Sequence, residues 1–146
     1  MDAIFTLSEL PAMIPYLVEE GKNTHTWLFE GPMGAGKTTL IHALAEYYDI
    51  QQSVSSPTYA LVNEYTTATG TIIYHMDWYR LKDEEEAINA GIEELVLQQF
   101  CWIEWPERAI GILPDDVFII RMLVVNETTR RVITEYSSQS FTPLHL

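Results

Sequence analysis

Apolar residues along this chain follow two periods, one of two and one near 3.6, and the switches between them mark out its elements. Ala3 to Leu7 predicts a short strand. Beyond it Leu10, Ile14, Leu17 and Val18 share one helical face, so a helix is expected from an N-cap at Ser8 to about Glu20. Pro11 falls in its first turn, where a missing N–H costs little. Gly21-Lys22-Asn23 ends that helix, and His25 to Phe29 predicts a second strand. Thr39 to Tyr48 is helical again, with Leu40, Ile41, Leu44 and Tyr48 on one side, and Gln51 to Pro57 is too polar for a core element. Tyr59 to Tyr65 and Thr71 to Met76 predict strands whose short link, residues 66–70, makes a hairpin rather than a crossover. Glu84 to Ala90, closed by Gly91, and Ile92 to Gln99 predict two short helices, followed by a buried strand at Phe100 to Ile103. Val117 to Val125 and Arg130 to Tyr136 form a last hairpin around residues 126–129.

Strands that alternate with helices, interrupted by two hairpins, indicate an α/β fold with a mixed, partly antiparallel central sheet. At 146 residues the chain is expected to form a single domain, too small for a motor or helicase with a substantial second one. Between the strand at 25–29 and the helix at 39–48 stands Gly31-Pro32-Met33-Gly34-Ala35-Gly36-Lys37-Thr38, which fits G-x-x-x-x-G-K-[ST] at every fixed position. Glycines let successive backbone N–H groups converge on phosphate oxygens, and the helix that follows adds its positive end. Lys37 would reach the β- and γ-phosphates as a point charge, and the Thr38 hydroxyl would serve Mg²⁺. Residues 31–39, Thr39 included, are therefore the candidate nucleotide-binding set, and the expected fold is a P-loop NTPase-like three-layer one.

Hydrolysis needs more than a phosphate loop: an acid at a strand end for the metal shell, and a group that orients water. Two predicted strands run into a carboxylate, Ile72 to Met76 into Asp77 and Phe100 to Ile103 into Glu104. In an α/β sheet ligands gather at the carboxyl ends of parallel strands, though either acid could equally cap its strand at the surface. His75 is expected to be a core or site-orienting histidine, and Trp105 either stacks at the site or packs in the core. Cys101 belongs to the core, and Asp83 to Glu86 reads as a solvated helix start. Arg80 and Arg108 suit surface pairs better than transition-state contacts.

Charge narrows the function. Eight basic residues against 21 acidic give a net −13, which does not suit a surface that grips a phosphate backbone alone, so a nucleic-acid substrate would require a basic partner protein. One cysteine excludes an internal disulfide, and no apolar run approaches 18 residues, so a soluble, cytoplasmic protein is expected. A guanine-nucleotide switch is disfavoured because no asparagine is followed by lysine, as an N-K-x-D element would need. A small-molecule kinase would carry a basic lid, whereas residues 80–86 are mostly acidic.

Beyond the phosphate loop, Ser56-Pro57-Thr58-Tyr59, His75-Met76-Asp77-Trp78-Tyr79-Arg80-Leu81 and Glu104-Trp105-Pro106, in this order and at these intervals, resemble the TsaE family of bacterial tRNA threonylcarbamoyladenosine biosynthesis proteins, the YjeE-type P-loop ATPases. The resemblance covers about residues 26–115. It implies a small ATPase with ATP as substrate and Mg²⁺ as cofactor. Such an ATPase assists TsaB and TsaD in placing a threonylcarbamoyl group on adenosine 37 of tRNAs that read codons beginning with A, meeting tRNA only through that complex. It further implies that Thr38 and Glu104 hold Mg²⁺, that Asp77 assists hydrolysis alongside Glu104 and Lys37, and that Thr58 lies on a nucleotide-sensing loop. Ala60 departs from the threonine common there. A C-terminal arginine near the nucleotide is also implied, for which Arg130 and Arg131 are both candidates. A nucleotide-bound assembly subunit without fast turnover is the alternative that the sequence leaves open.

Overall fold

Among the described residues, seven strands form one sheet in the order β1-β7-β6-β2-β5-β4-β3. The computed structural model describes residues 1–54, 62–139 and 141–143. The strands are β1 (Asp2–Thr6), β2 (Thr26–Glu30), β3 (Val62–Thr66), β4 (Ile72–Asp77), β5 (Phe100–Glu104), β6 (Val117–Val124) and β7 (Thr129–Ser137). Helices α1 (Leu10–Gly21), α2 (Lys37–Tyr47), α3 (Glu84–Asn89) and α4 (Ile92–Gln98) cover its two faces, together with a 3₁₀ segment at Pro106–Ile112. The centre of the sheet is parallel: β2 pairs with both β5 and β6, and β4 pairs with β5. Its margins are antiparallel, β3 against β4 on one side and β7 against β6 and β1 on the other. The mixed α/β sheet expected from the two hairpins is what the chain forms.

Strand β2 explains why this sheet needs two covers. All five of its residues are buried, as befits a parallel strand flanked on both edges and both faces. Trp27 and Phe29 join Ile14, Leu17, Leu40, Ile41 and Leu44 on the side that α1 and α2 cover. Leu28 points the other way, into a second cluster with Ile92, Val96, Ile103 and Ile112. The period of two along β2 thus divides the core into the two halves of a three-layer fold.

Local expectations hold in most places and move at a few. Glu9 accepts from both the Thr6 N–H and the Thr6 hydroxyl, at 2.8 and 2.9 Å, and a 3₁₀ turn at Leu7–Glu9 precedes α1. The helical entry is therefore fixed by Thr6 and Glu9 rather than by an N-cap at Ser8. Val18 is half-buried, while Met13 takes a place on the buried face. Helix α2 begins at Lys37, two residues before the expected start at Thr39. Phe100 is exposed at the mouth of an otherwise buried β5. The loop at 55–61, with Thr58 and Ala60, lies outside the described residues.

Candidate functional site

The phosphate-loop motif occupies the turn between β2 and α2, at the carboxyl end of the central parallel strands. Two glycines there are structural necessities. A Cβ on Gly31 would lie 2.6 Å from the Met122 carbonyl oxygen of β6, so only glycine lets the loop leave the sheet so closely. Gly36, at φ 100°, takes the left-handed turn into α2 and brings no side chain to cap it. First-turn N–H groups of α2 are thereby left to face the cleft that residues 33–39 line.

Asp77 and Glu104 end adjacent parallel strands and are direct register partners, with Trp78 N–H donating to the Glu104 carbonyl at 3.0 Å. Strand pairing thus sets the two carboxylates side by side, opposite the loop. Together with Tyr79, Trp105 and residues 33–39 they enclose a cleft of about 340 Å³. Glu104 is buried, and its Oε2 meets His75 Nε2 at 2.8 Å. The Tyr79 N–H donates to Asp77 at 2.9 Å. Burial raises the Asp77 carboxyl above its ordinary range; the Tyr79 amide opposes that shift and the charge of Glu104 adds to it.

Lys37 is the one lysine or arginine lining this cleft among the described residues. Only 6% exposed, it donates to the Gly31 carbonyl at 2.5 Å and lies 3.8 Å over the Trp105 ring. Burial lowers its pKa, while Glu104, Glu107, Asp77 and Glu30 pull it back up. Trp105 thus lines the cleft while its partly buried ring also packs against the second core cluster, and it starts the 3₁₀ segment in the left-handed region at φ 58°, a conformation a bulky residue rarely adopts.

The two candidate arginines separate cleanly. Arg130 is buried, and its guanidinium donates to the carbonyls of Ala35 at 2.8 Å, Gly34 at 3.3 Å and Asn126 at 2.7 Å, so it braces the phosphate loop from behind. Arg131, on the opposite face of β7, pairs with Asp2 at 2.7 and 2.9 Å on the surface. Replacing Arg130 by alanine strands the buried Ala35 carbonyl and removes the part-buried bonds to Gly34 and Asn126, so a thermal or urea melt is expected to show a loss of roughly 2 kcal/mol. Arg131→Ala is expected to leave the melt and the nucleotide affinity as they were; equal losses for the two variants would contradict this division.

Size alone does not choose this cleft. A second cavity of about 330 Å³ lies behind Gly31 and Pro32, lined by Glu30, Trp105, Glu107, Arg121, Leu123 and Pro143. Arg121 is already committed to Glu30 at 2.8 Å, Glu135 at 3.3 Å and the Thr142 carbonyl at 2.7 Å. With its one arginine paired and two acids, Glu30 and Glu107, in its wall, that cavity offers a phosphate no uncommitted cation. The 33–39 cleft instead pairs amide dipoles and one lysine with two carboxylates. A hydroxyl and carboxylates are hard oxygen donors of the kind Mg²⁺ takes, and the described residues hold no cluster of three His, Cys, Asp or Glu able to cage a metal alone. Such a site suits a Mg²⁺ whose remaining ligands are phosphate and water.

Of the residues singled out from sequence, 33–39, Asp77 and Glu104 line one cleft, whereas Gly31 and Pro32 line the cavity behind it; Thr58 lies outside the described residues. Tyr65, whose hydroxyl meets His75 Nδ1 at 2.8 Å, is an addition from the structure. Its only sequence signal is the strand it sits on. Arg80 is exposed, and Arg108 lies 5.3 Å over the Tyr79 ring at the rim. No helix among the described residues is long and apolar enough to cross a membrane.

Comparison with known proteins agrees with the fold and with the family resemblance. The family model for "Threonylcarbamoyl adenosine biosynthesis protein TsaE" matches residues 6–133. A tRNA threonylcarbamoyladenosine biosynthesis protein TsaE of Haemophilus influenzae is 38% identical over 120 residues, covering 74% of this chain and 75% of the relative. Its counterpart in Treponema pallidum is 34% identical over 117 residues, covering 80% and 83%. The crystal structure of YdiB from Bacillus subtilis superposes with a TM-score of 0.71 at 24% identity, over 94% of this chain and 85% of that one, which speaks to the fold. With a family model spanning most of its length and relatives this similar across most of theirs, the chain belongs to the TsaE family of threonylcarbamoyl adenosine biosynthesis proteins.

Proposed function

We propose that this chain is a small Mg²⁺-dependent ATPase that supports TsaB and TsaD in forming N6-threonylcarbamoyladenosine at position 37 of tRNAs reading codons that begin with A. The observation that carries this reading is the register pairing of Asp77 with Glu104 opposite a loop that presents Lys37 and Thr38. Family membership supplies the pathway, and the cleft supplies the chemistry.

In this account residues 33–38 bind the β- and γ-phosphates through backbone N–H groups, and Lys37 exchanges the Gly31 carbonyl for phosphate oxygens. Thr38 and Glu104 hold Mg²⁺, which, when bound, neutralises charge on the β- and γ-oxygens. It is needed there because one lysine is set against two carboxylates, Asp77 and Glu104, in the cleft wall before any triphosphate arrives. Asp77, the register partner of Glu104 on the cleft wall, orients water at the γ-phosphate.

Turnover by the chain alone is slow in this reading. Arg130, which braces the loop, is spent on carbonyls, so no arginine on the described residues reaches the cleft to stabilise the transition state. TsaB and TsaD complete the site or commit it, and with a net −13 the chain meets tRNA through them. The test is tRNA modification reconstituted over many turnovers, with ATP hydrolysis followed in parallel. Modification is expected to depend on this chain, and hydrolysis to rise markedly when TsaB and TsaD are added. Modification that is equally fast without the chain would refute the role, and full-speed hydrolysis by the lone protein would refute the partner dependence. Modification that needs the chain but no hydrolysis would make it a nucleotide-bound assembly subunit instead.

A further inference from the structure

We infer that His75 is a positioning residue, which holds the Glu104 carboxylate in its metal-facing orientation while Tyr65 holds His75; this rests on the Mg²⁺–ATP reading of the cleft. All three side chains are essentially sealed from solvent: His75 is 0% exposed, Tyr65 1% and Glu104 3%. They form one hydrogen-bonded line across three neighbouring strands, with the Tyr65 hydroxyl 2.8 Å from Nδ1 and Nε2 2.8 Å from Glu104 Oε2. Strand β3 supplies the tyrosine, β4 the histidine and β5 the acid.

The chemistry gives that line a direction. An ionised carboxylate offers only acceptors, so the hydrogen of the second contact sits on Nε2. Nδ1 of the neutral ring must then accept from the Tyr65 hydroxyl, whose oxygen lies 3.4 Å from Asn63 Nδ2. Both ring nitrogens are thereby used, and the tautomer is set by its partners. With Oε2 anchored, rotation of the carboxylate is restricted, and Oε1 is the oxygen left for the cleft that Glu104 lines. His75 itself does not line that cleft, so it neither touches substrate nor moves a proton there. Apolar packing alone would be served by an aliphatic side chain; a buried polar line that ends on a cleft carboxylate resembles the histidine and carboxylate contacts that orient metal ligands elsewhere.

Calorimetry of ATP binding, run in Mg²⁺ and again in excess EDTA, separates this role from a structural one. Wild type is expected to bind more tightly with Mg²⁺ than without. A folded His75→Leu should keep the EDTA affinity and lose at least about tenfold of the Mg²⁺ enhancement, with a matching rise in the Mg²⁺ concentration that half-saturates turnover. His75→Gln, whose amide N–H can replace that of Nε2, should recover most of both. An unchanged Mg²⁺ enhancement in His75→Leu, or a glutamine variant no better than leucine, would overturn the inference while the ATP site stands. Should His75→Leu not fold, Tyr65→Phe decides: a loss of about threefold in the Mg²⁺ enhancement is expected, and the wild-type value would overturn it. No ATP binding by the wild type in either buffer would overturn the reading of the cleft, and this inference with it.

Discussion

Lys37→Ala is expected to weaken ATP binding by between about tenfold and about a hundredfold, the range that loss of one charge-assisted contact spans. The amine is buried at the base of the cleft, held by the Gly31 carbonyl and the Trp105 ring. Both contacts are to the protein itself, so a phosphate can displace them with little rearrangement. The charges that act on this amine are those of Glu104, Glu107, Asp77 and Glu30. Removing the lysine therefore leaves a triphosphate facing carboxylates with only amide dipoles and Mg²⁺ on its side. Isothermal calorimetry decides it, and an undiminished affinity in Lys37→Ala would refute the assignment of the loop.

The second large effect separates binding from turnover. Glu104→Gln is expected to keep the nucleotide affinity measured in EDTA within a few-fold, to lose at least about tenfold of the Mg²⁺ enhancement, and to lower partner-stimulated hydrolysis by at least about a hundredfold. Glutamine is the informative replacement because its carbonyl can still accept from His75, whereas alanine would leave the buried Nε2–H stranded at roughly 1–3 kcal/mol. Asp77→Asn should likewise lose hydrolysis, and it carries a stability signature. Burial raises the folded-state pKa of Asp77 above its unfolded value, so its ionised form disfavours the fold. That handicap is absent at acid pH, where both states hold the proton, and is present in full above the folded-state pKa. The asparagine variant should therefore melt higher than wild type near neutral pH and alike at pH well below the carboxylate range. Wild-type turnover in Glu104→Gln, measured with TsaB and TsaD, would remove that acid from the chemistry.

How much of this is legible in the sequence follows from the range of each interaction. The phosphate loop is legible because its strand, glycines and helix are contiguous, so residues 26–47 carry their own context. The hairpins at 62–77 and 117–137 are legible for the same reason, their links being short. Side-by-side placement of Asp77 and Glu104 is not: it depends on β4 and β5 pairing in parallel register although α3 and α4 lie between them in the chain, and apolar-run-then-acid describes many surface strand ends equally well.

Arg130 and Arg131 show the same limit at single-residue scale. Alternation along β7 sends one inward and the other outward, but only the pairing of β7 between β1 and β6 decides which faces the loop. Tyr65 and Trp105 are opaque for different reasons. A tyrosine in a strand carries no mark of the histidine it meets on the neighbouring one, and the left-handed turn at Trp105 follows from the path into Pro106 and the 3₁₀ segment rather than from the tryptophan itself. The start of α1 is a smaller case of the same kind. Ser8 is a plausible cap in isolation, but Thr6 wins because Glu9 reaches back to both its N–H and its hydroxyl.

A crystal structure of the chain with a non-hydrolysable ATP analogue and Mg²⁺ tests the central claim most directly. The account predicts phosphate oxygens within hydrogen-bond reach of the amides of residues 34–38, the Lys37 amine moved from the Gly31 carbonyl onto those oxygens, and a metal about 2.0–2.1 Å from the Thr38 hydroxyl on the side of Glu104. Nucleotide seated in another cavity, with Lys37 still on Gly31, would contradict it.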